Sequence, residues 1–419
     1  MSSERLGLNT ATPSVLFLDL NSAFASIEQL YRPELRGRPV AVCPGAARAS
    51  AVISASREAR ALGVRTLMRV FEAVSVCPDL AVVEPDPEKY REVSRLLLIL
   101  LDSYSPRVVP LSIDEAAVDL AGTPSLSRDL RELGLEIKRR LREEVGDWLT
   151  CSIGFSTNVF LAKLAAELEK PDGLHVIDHR NLVEVLSRLQ LTDLSGISEA
   201  NARRLRTAGI ATPLQFLHPS QHTLRRQAFR SIVGEVWYRR LRGFETESFD
   251  VQAASKSASH SHVLPRATSD SEEILALLLR FCDRLGRRLR QDELMARRTE
   301  VRVRTKEGEE RHAHRRHEPT FATQDLYDVA RQLWERMQER RPLRFVAVSL
   351  TELSPASVTQ LDLFAEGEQR SDRTSALMDE LRDRFGERAV VQASLLNRSH
   401  LAPDRIAFGK MPRRGGGHV

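Results

Sequence analysis

Three acidic residues carry the strongest chemical signal in this sequence. Asp19 lies at the end of the apolar run SVLFLDL, and the pair Asp114-Glu115 interrupts the alternating segment VVPLSIDEAAVDL. Three carboxylates brought together repel one another, so they need divalent cations, and hard oxygen ligands suit Mg²⁺. Two such ions about 4 Å apart would stabilise the attacking and leaving oxygens of phosphoryl transfer. Acids at strand ends are also common on ordinary protein surfaces, so these residues alone leave both interpretations open.

The elements that would position these acids follow from the pattern of apolar residues. Residues 14–20 predict a buried strand, and residues 108–120 predict a β-hairpin with the two adjacent acids at or near its tip. A carboxylate at such a position is held on a rigid edge. Further strands are predicted at 38–43, 51–54 and 151–156, and helices at 22–31, 88–104, 127–145 and 158–168.

The second half of the chain has a different texture. Residues 190–249 predict short helices broken by Gly and Pro, and a polar linker then leads into the order βαββαβ, a split β-α-β arrangement. Arg302 and Arg304 alternate with valines, which places a cationic row opposite a core face and suits contact with backbone phosphates. The strands are expected at 256–264, 299–305, 311–317 and 343–351, and the helices at 272–290, 324–339 and 371–386.

Composition excludes several classes of protein. With 419 residues, 42% hydrophobic and 28% charged, the chain is long enough for several domains and is unlike a disordered or collagen-like protein. Its longest apolar run, Leu96 to Leu101, is far shorter than the roughly 18 residues of a membrane helix, and the first ten residues lack a signal-peptide core. The four cysteines form no CxxC pair, which argues against a disulfide framework or zinc site. We therefore expect a cytoplasmic protein without a membrane segment.

The distribution of charge is more informative than the net charge of +5. Residues 1–180 hold 22 basic and 25 acidic side chains, a net of −3. Residues 181–250 hold 10 and 7, and residues 255–345 hold 20 and 15, which together give +8. An acidic front half followed by a basic middle suggests a cation-binding site and then a surface for a polyanion. Random drift of surface charge would explain the same asymmetry.

Four blocks make the sequence recognisable when they are taken in order. FLDLNSAFASIEQLYRPELRGRPVAV, AVISASREARALGV, YSPRVVPLSIDEAAVDL and SIGFSTNVFLAKLAAELEKPDGLHVI together closely resemble the Y-family translesion DNA polymerases, in particular the DinB/polymerase IV branch. The resemblance implies an α+β multidomain right hand with a helix-hairpin-helix thumb and a βαββαβ little finger that grips DNA. It divides the chain into palm (1–34 and 80–180), fingers (35–79), thumb (181–250), little finger (251–354) and C-terminal tail (355–419).

The resemblance also implies roles for individual residues. Asp19, Asp114 and Glu115 would hold two Mg²⁺ ions, with the backbone carbonyl of Leu20 as an extra ligand. Phe24 matches the steric gate that excludes a 2′-hydroxyl, although without the family it is better explained as a core residue of its helix. Ser54, Arg57 and Arg60 match positions of the triphosphate pocket. Ala51 and Ile53 match the roof over the nascent base pair, and Gly196 and Ser198 match the thumb hairpin.

The sequence departs from the family pattern at several positions near the predicted site. Asn21 stands where a second Asp is usual, and Arg57 stands where Tyr usually contacts the triphosphate. Val159 follows Asn158 where a phosphate-binding Lys is usual, so the gain of Arg57 could offset the loss of that Lys. Two smaller departures are Ala23, beside the gate, and Ser198, in the thumb hairpin.

The segment QLDLF, residues 360–364, resembles the peptide with which bacterial proteins bind the sliding clamp. Gln360, Leu361, Leu363 and Phe364 of this peptide would fill a hydrophobic cleft on the clamp. An exposed apolar pair in a polar loop favours such a binding role, because without a partner it would promote aggregation. The alternative is that Leu363 and Phe364 cover the core of the little finger.

We therefore expect a monomeric, Mg²⁺-dependent DNA polymerase of low fidelity that binds primer-template DNA, a dNTP and the sliding clamp. A second hypothesis is a polymerase-like scaffold subunit of a bacterial mutagenesis complex, with little or no catalytic activity. The retained acids favour the enzyme, whereas Asn21, Arg57 and Val159 leave the scaffold open. A generic DNA-binding repair factor would not explain the SIDEA block next to a strand-end Asp.

Overall fold

A computed structural model describes residues 6–45, 50–249, 256–356, 366–386, 389–396 and 402. The chain divides into two compact units, one covering residues 1–251 with 405–419 and the other covering residues 252–404. No helix among the described residues is long and apolar enough to cross a membrane. The clamp-like segment 360–364 lies outside the described residues.

The strands are numbered in chain order. In the first unit they are β1 Val15–Leu20, β2 Val40–Val42, β3 Ser54–Ala55, β4 Ala81–Val83, β5 Val108–Pro110, β6 Glu115–Asp119, β7 Cys151–Ser156 and β8 Leu174–Val176. In the second unit they are β9 Ser257–Thr268, β10 Leu294–Thr305, β11 Glu310–Thr320 and β12 Leu343–Pro355.

The α-helices follow the same numbering. They are α1 Ala23–Tyr31, α2 Arg57–Ala61, α3 Val70–Val76, α4 Pro87–Asp102, α5 Leu130–Arg140, α6 Val159–Leu168, α7 Leu182–Ser187, α8 Glu199–Thr207, α9 Pro213–Leu217, α10 Gln221–Thr223, α11 Val233–Arg240, α12 Ser271–Gln291, α13 Thr323–Met337 and α14 Glu366–Phe385. Short 3₁₀ or π turns lie at Pro33–Leu35, Pro124–Ser127, Leu141–Val145, Leu191–Asp193, Leu224–Ala228 and Ala393–Leu395.

These elements confirm most of the predicted strands and helices, with ends shifted by a few residues. The predicted strand at 51–54 is wrong, because regular pairing is confined to Ser54–Ala55, and Ala51 forms only an isolated bridge to Arg69. The helix predicted at 127–145 begins at Leu130 and continues into a π turn after Arg140. The helix predicted at 371–386 begins earlier, at Glu366.

A five-stranded sheet in the order β5-β6-β1-β7-β8 forms the centre of the first unit. Strand β1 is apolar on both faces because helices cover both sides of the sheet: Leu16 and Leu18 join the cluster formed with α4 and α5, whereas Phe17 packs with Val159 and Ala162 of α6. Asp19 is two residues after Phe17, so its side chain lies on the α6 side.

Gly154 allows helix α6 to lie close to this sheet. A Cβ added at Gly154 would come within 2.0 Å of the Ala162 backbone oxygen, so only glycine fits between strand β7 and the helix. This close packing brings Lys163 of α6 near the carboxyl end of β1. A smaller three-stranded sheet, β3-β2-β4, packs with α2 and α3, and the short helices α7–α11 share a core with one face of α6.

The second unit is built on a four-stranded antiparallel sheet in the order β11-β10-β12-β9. Helices α12 and α13 each connect two strands that are separated by one intervening strand, which confirms the split β-α-β arrangement. Val301 and Val303 are buried under α12 and α13, whereas Arg302 and Arg304 are exposed on the opposite face, as the alternation predicted.

Helix α14 packs against α12 and α13 of the second unit. Arg290 on α12 makes two hydrogen bonds to Asp379, and Arg382 on α14 pairs in the reverse sense with Asp283. All four side chains are largely shielded from solvent, and Leu395 beyond the helix enters the same core. Helix α14 and Leu395, which belong to the predicted C-terminal tail, are therefore packed into the second unit.

Candidate active site

The backbone of the five-stranded sheet brings the three predicted acids together. Asp19 on β1 is directly opposite Glu115 on β6, and the Leu20 amide donates a hydrogen bond of 3.0 Å to the Asp114 carbonyl. Strand β6 begins at Glu115, so Asp114 lies in the preceding turn, at the tip of the hairpin formed with β5. This register explains why the acidic pair and the single Asp are far apart in sequence yet adjacent in space.

Two lysines that the sequence analysis did not single out contact these acids. Lys170 Nζ lies 2.9 Å from Asp19 Oδ2, and Lys163 Nζ lies 2.6 Å from Glu115 Oε1. Asp114 instead accepts a hydrogen bond of 2.5 Å from the Ser112 hydroxyl. Within the described parts of the chain, no three His, Cys, Asp or Glu side chains form a preassembled metal-ligand cluster. In this state ammonium groups occupy the positions nearest two of the carboxylates.

The electrostatics of the site nevertheless favour a cation. Burial is the main cause that raises the pKa of Asp19 to about 7, with a further contribution from Glu115 and Asp114, although Lys170 acts in the opposite direction. Burial and the neighbouring Glu115 also raise the pKa of Asp114. Both carboxylates are therefore destabilised in their charged form. Because the donors are hard oxygens that need additional positive charge, the residues present fit Mg²⁺.

A cleft of about 840 Å³ opens over these carboxylates. Asp19 and Asp114 lie in its wall, whereas Glu115 is turned toward Lys163 and does not line it. Of the other residues proposed for the site, the cleft also receives Leu20, Phe24, Ile53, Ser54, Arg57 and Arg60. Ala51, predicted to share the roof with Ile53, is not among the lining residues. One concave surface thus brings together Asp19, Asp114 and most of the predicted nucleotide pocket.

Phe24 lies both in the core and at the wall of the cleft. Its ring is only 3% exposed and stacks on Tyr90, with ring centroids 4.5 Å apart and planes inclined by 11°. Both interpretations offered by the sequence, a core residue and a residue beside the substrate, are therefore compatible with its position.

The three residues matched to the triphosphate have different partners. Ser54 is buried, and its hydroxyl donates to the Ser22 carbonyl and accepts from the Ala25 amide, so it joins β3 to the start of α1. Arg60 is anchored by a hydrogen bond from Nε to the Ala55 carbonyl. Arg57 is exposed and makes only a long ion pair with Glu58, at 3.8 Å. Its guanidinium is thus the group most able to swing toward an anion in the cleft.

Asn21, the departure nearest the acids, has a defined structural role. Its Nδ2 donates to the Ser152 hydroxyl and its Oδ1 accepts from the Asp172 amide, at 3.0 and 2.8 Å. Asn21 therefore ties strand β7 to the turn that carries Lys170. The other departure on this side, Val159, packs against Phe17 as part of the core.

Residues predicted to contact DNA are found in both units. Gly196 has φ +95°, a conformation that favours glycine, and Ser198 immediately precedes α8, whose first-turn backbone amides have no hydrogen-bond partner within the helix. On the second unit, Arg302 is paired with Glu300, and both Arg302 and Arg304 are paired with Glu310. These ion pairs are exposed, so they can exchange for phosphate at low energetic cost.

Several known proteins are similar to this chain. Two models of the impB/mucB/samB family match the chain: the family model at residues 18–167 and its C-terminal-domain model at residues 255–363. DNA polymerase IV of Moorella thermoacetica is 35% identical over 390 residues, covering 91% of this chain and 95% of the relative. DNA polymerase IV 1 of Bacillus subtilis is 30% identical, covering 94% and 96%. The chain belongs to the DinB-like branch of the Y-family DNA polymerases.

Solved structures give the same fold. A Y-family DNA polymerase chimera of Dbh and Dpo4 matches 81% of this chain and 99% of its own length, with a TM-score of 0.71 and 24% identity. An insertion ternary complex of Dbh DNA polymerase matches the same shares of both chains, with a TM-score of 0.58 and 25% identity. The expected α+β polymerase fold is confirmed. The chain is a DNA-directed DNA polymerase of the translesion class, and the alternative of a non-catalytic scaffold is not favoured.

Several residues of this polymerase site could not be assigned from sequence. Lys163 and Lys170 lie in the helix and turn of the LAKLAAELEKPDG block, where basic residues are ordinary. Glu28 is fully buried on α1 and accepts a hydrogen bond from Tyr90. An acid on the buried face of an amphipathic helix was the available signal for Glu28, whereas nothing in the sequence linked either lysine to a particular carboxylate.

Proposed function

We propose that Asp19, Asp114 and Glu115 hold two Mg²⁺ ions, with the Leu20 carbonyl as an additional ligand, and that this site joins a dNTP to a primer 3′ end. The observation that carries the proposal is the pairing of Asp19 with Glu115 across β1 and β6, with Asp114 beside them at the cleft wall. Bound metal ions would supply charge stabilisation to the attacking and leaving oxygens.

The chain's own residues would prepare the carboxylates for this reaction. Lys170 and Lys163 neutralise Asp19 and Glu115 while the site is metal-free, and both ammonium groups sit on flexible stems that can move aside. Ser112 fixes the orientation of Asp114 through a hydrogen bond that does not require a metal. The acids are thus kept close together without the full cost of their mutual repulsion.

The nucleotide would lie along the rest of the cleft. Arg57 and Arg60 line it and would bind the triphosphate, with Ser54 close to the same wall. Phe24 would lie under the sugar and reject a 2′-hydroxyl, and Ile53 would cover the nascent base pair. Trp148 and Pro171 also line this cleft, whose volume is about 840 Å³.

DNA would be held by residues outside the cleft. Backbone amides near Gly196 and Ser198 would bind primer phosphates, as helix N-termini do, and Arg302 and Arg304 would contact the duplex backbone. We propose the division into palm, fingers, thumb, little finger and tail that the family resemblance implies, with helix α14 of the tail packed on the little finger. We further propose a monomer that acts in the cytoplasm and binds the sliding clamp through Gln360, Leu361, Leu363 and Phe364.

Primer extension tests the proposed function directly. The purified chain should add dNTPs to a primer on an undamaged template and opposite a template lesion, and only when Mg²⁺ is supplied. A chain that binds primer-template DNA but adds no nucleotide under these conditions would contradict the proposal and restore the scaffold hypothesis.

A further inference from the structure

A buried pair of aromatic rings lies directly behind the cleft wall. Phe24 on α1 and Tyr90 on α4 stack almost parallel, and both side chains are nearly inaccessible to solvent. Tyr90 does not line the cleft, so any effect of this residue on a nucleotide must pass through Phe24. Stacked aromatic pairs contribute about 0.5–1.5 kcal/mol beyond the apolar area that they bury, and they restrict the orientation of both rings.

Tyr90 is fixed at its other end by the same helix that carries Phe24. Its hydroxyl donates a hydrogen bond of 2.7 Å to Oε1 of Glu28, one turn beyond Phe24 on α1. Tyr90 therefore spans two side chains on one face of α1, with its ring on Phe24 and its hydroxyl on Glu28. Because burial and Glu28 raise the pKa of Tyr90, the phenol remains a donor throughout the neutral range.

Glu28 is an unusual group to find in this core. It is fully buried, and its second oxygen, Oε2, has no hydrogen bond and is approached only by Arg32 and Lys89, each at 3.7 Å. A buried carboxylate with weak compensation is costly, and an apolar residue would stabilise the same helix packing more simply. The specific interaction that Glu28 makes is the short bond to Tyr90.

We propose that Tyr90 is a positioning residue for Phe24, held in place by Glu28, and that this trio sets how strictly the polymerase rejects ribonucleotides. A ring that must exclude one hydroxyl group has to be held to within a fraction of an ångström. The stack prevents Phe24 from tilting away from the cleft, and the Glu28 bond prevents Tyr90 from sliding along the stack. The inference rests on the proposed function, specifically on Phe24 as the gate.

The test compares kcat/KM for a dNTP with kcat/KM for the matching rNTP. Tyr90→Leu, which removes the ring, should lower the dNTP to rNTP ratio by roughly 3- to 10-fold, the fold-change that corresponds to the energy of an aromatic pair. Tyr90→Phe and Glu28→Gln keep the ring but weaken or remove its anchor, so each should lower the ratio by less than Tyr90→Leu. Phe24→Ala should give the largest loss.

Tyr104→Leu is the matched control. Tyr104 is also a buried tyrosine that donates to a glutamate, Glu136, and its ring packs against Arg140 of α5, 5.2 Å from the guanidinium carbon. Its replacement should reduce thermal stability while leaving the dNTP to rNTP ratio unchanged, because a merely structural defect lowers both rates together. In the double variant Phe24→Ala/Tyr90→Leu, the ratio should equal that of Phe24→Ala alone.

Each contrary outcome has a distinct meaning. If Phe24→Ala lowers the ratio but Tyr90→Leu, Tyr90→Phe and Glu28→Gln all leave it at the wild-type value, the positioning role is wrong and the gate survives. If Phe24→Ala itself has no effect, both the gate and this inference are wrong. A wild-type chain that incorporates no nucleotide overturns the proposed function and the inference with it. Tyr90→Phe keeps the test open even if Tyr90→Leu fails to fold.

Discussion

Asp19 and Glu115 are cross-strand partners in the central sheet, yet each carboxylate accepts a hydrogen bond from a different lysine. The backbone fixes the distance between the two strands, whereas the side chains remain free to exchange partners. Asp19 and Glu115, two of the proposed catalytic acids, are therefore held in ion pairs with Lys170 and Lys163, and these pairs only partly offset the cost of burying Asp19.

The first prediction concerns stability without metal. The pKa of Asp19, about 7, lies above its ordinary value of 3.8, so between these two pH values the folded state binds more protons than the unfolded state. The free energy of unfolding should therefore fall as pH rises through this window. In the presence of a chelator at pH 8, the free energy of unfolding of Asp19→Asn should exceed that of the wild type by about 1–3 kcal/mol, so the variant should unfold at a higher temperature. The two proteins should converge in stability near pH 4.

Thermal unfolding at pH 4, 6 and 8 measures this effect. Asp147→Asn is the control, because Asp147 lines the same cleft but is exposed and paired with Arg36. Equal pH dependence in the wild type and Asp19→Asn would show that burial does not destabilise the charged form of Asp19.

The second prediction concerns Asn21. Asn21→Ala leaves the Asp172 amide without its acceptor and releases the turn that carries Lys170, so it should cost about 1–2 kcal/mol of stability and reduce kcat/KM. Asn21→Asp keeps that acceptor, and the Ser152 hydroxyl can rotate to donate to it, so its stability and activity should stay close to those of the wild type. Chemical denaturation and single-nucleotide kinetics measure both. A loss in Asn21→Asp as large as that in Asn21→Ala would contradict this role.

The third prediction concerns the arginine row on β10. Arg302→Gln/Arg304→Gln should weaken binding to primer-template DNA and lower the slope of log K against log salt by about 1.8, the value for two lost phosphate contacts. Arg331→Gln, on helix α13 of the same unit, should leave both quantities unchanged. Fluorescence anisotropy at several salt concentrations gives the slope, and an unaltered slope in the double variant would remove these residues from the DNA interface.

The fourth prediction concerns the clamp peptide. Leu363→Ala/Phe364→Ala should abolish measurable binding to the bacterial sliding clamp while leaving distributive primer extension intact, because the hydrophobic side chains supply the contact. Leu377→Ala/Leu381→Ala removes an exposed apolar pair from α14 and serves as the control. Surface plasmon resonance with immobilised clamp distinguishes them. Clamp affinity that survives the first change would contradict the peptide assignment.

Sequence reasoning worked best where local pattern and tertiary structure depend on the same physical cause. The apolar run before Asp19 reflects a strand that is buried on both faces, and the alternation around Asp114 reflects strands that are buried on one face. The strand, the hairpin and the positions of the acids could therefore be predicted from these patterns. The βαββαβ order and the outward direction of Arg302 and Arg304 followed for the same reason.

Interactions between distant residues were not predictable in this way. The bonds from Lys170 to Asp19 and from Tyr90 to Glu28 depend on how separate helices and turns pack, which no local pattern specifies. The strand predicted at 51–54 was placed too early, because its first two residues pair with the loop around Met68 and Arg69 rather than with a strand. The family resemblance assigned roles to residues already in the motif, but it could not indicate which side chains hold them.

Single-nucleotide primer extension by Asp114→Asn, alongside the wild type and Asp147→Asn, is the most direct test of the catalytic site. Asp114 and Asp147 are both acids of the same cleft, and both substitutions remove one charge with little change in shape. With saturating Mg²⁺ and unchanged DNA binding, Asp114→Asn should lose at least about 100-fold in rate, as expected for an interaction used in the transition state, whereas Asp147→Asn should remain within about 3-fold of the wild type. Equal rates for Asp114→Asn and the wild type would place the chemistry elsewhere.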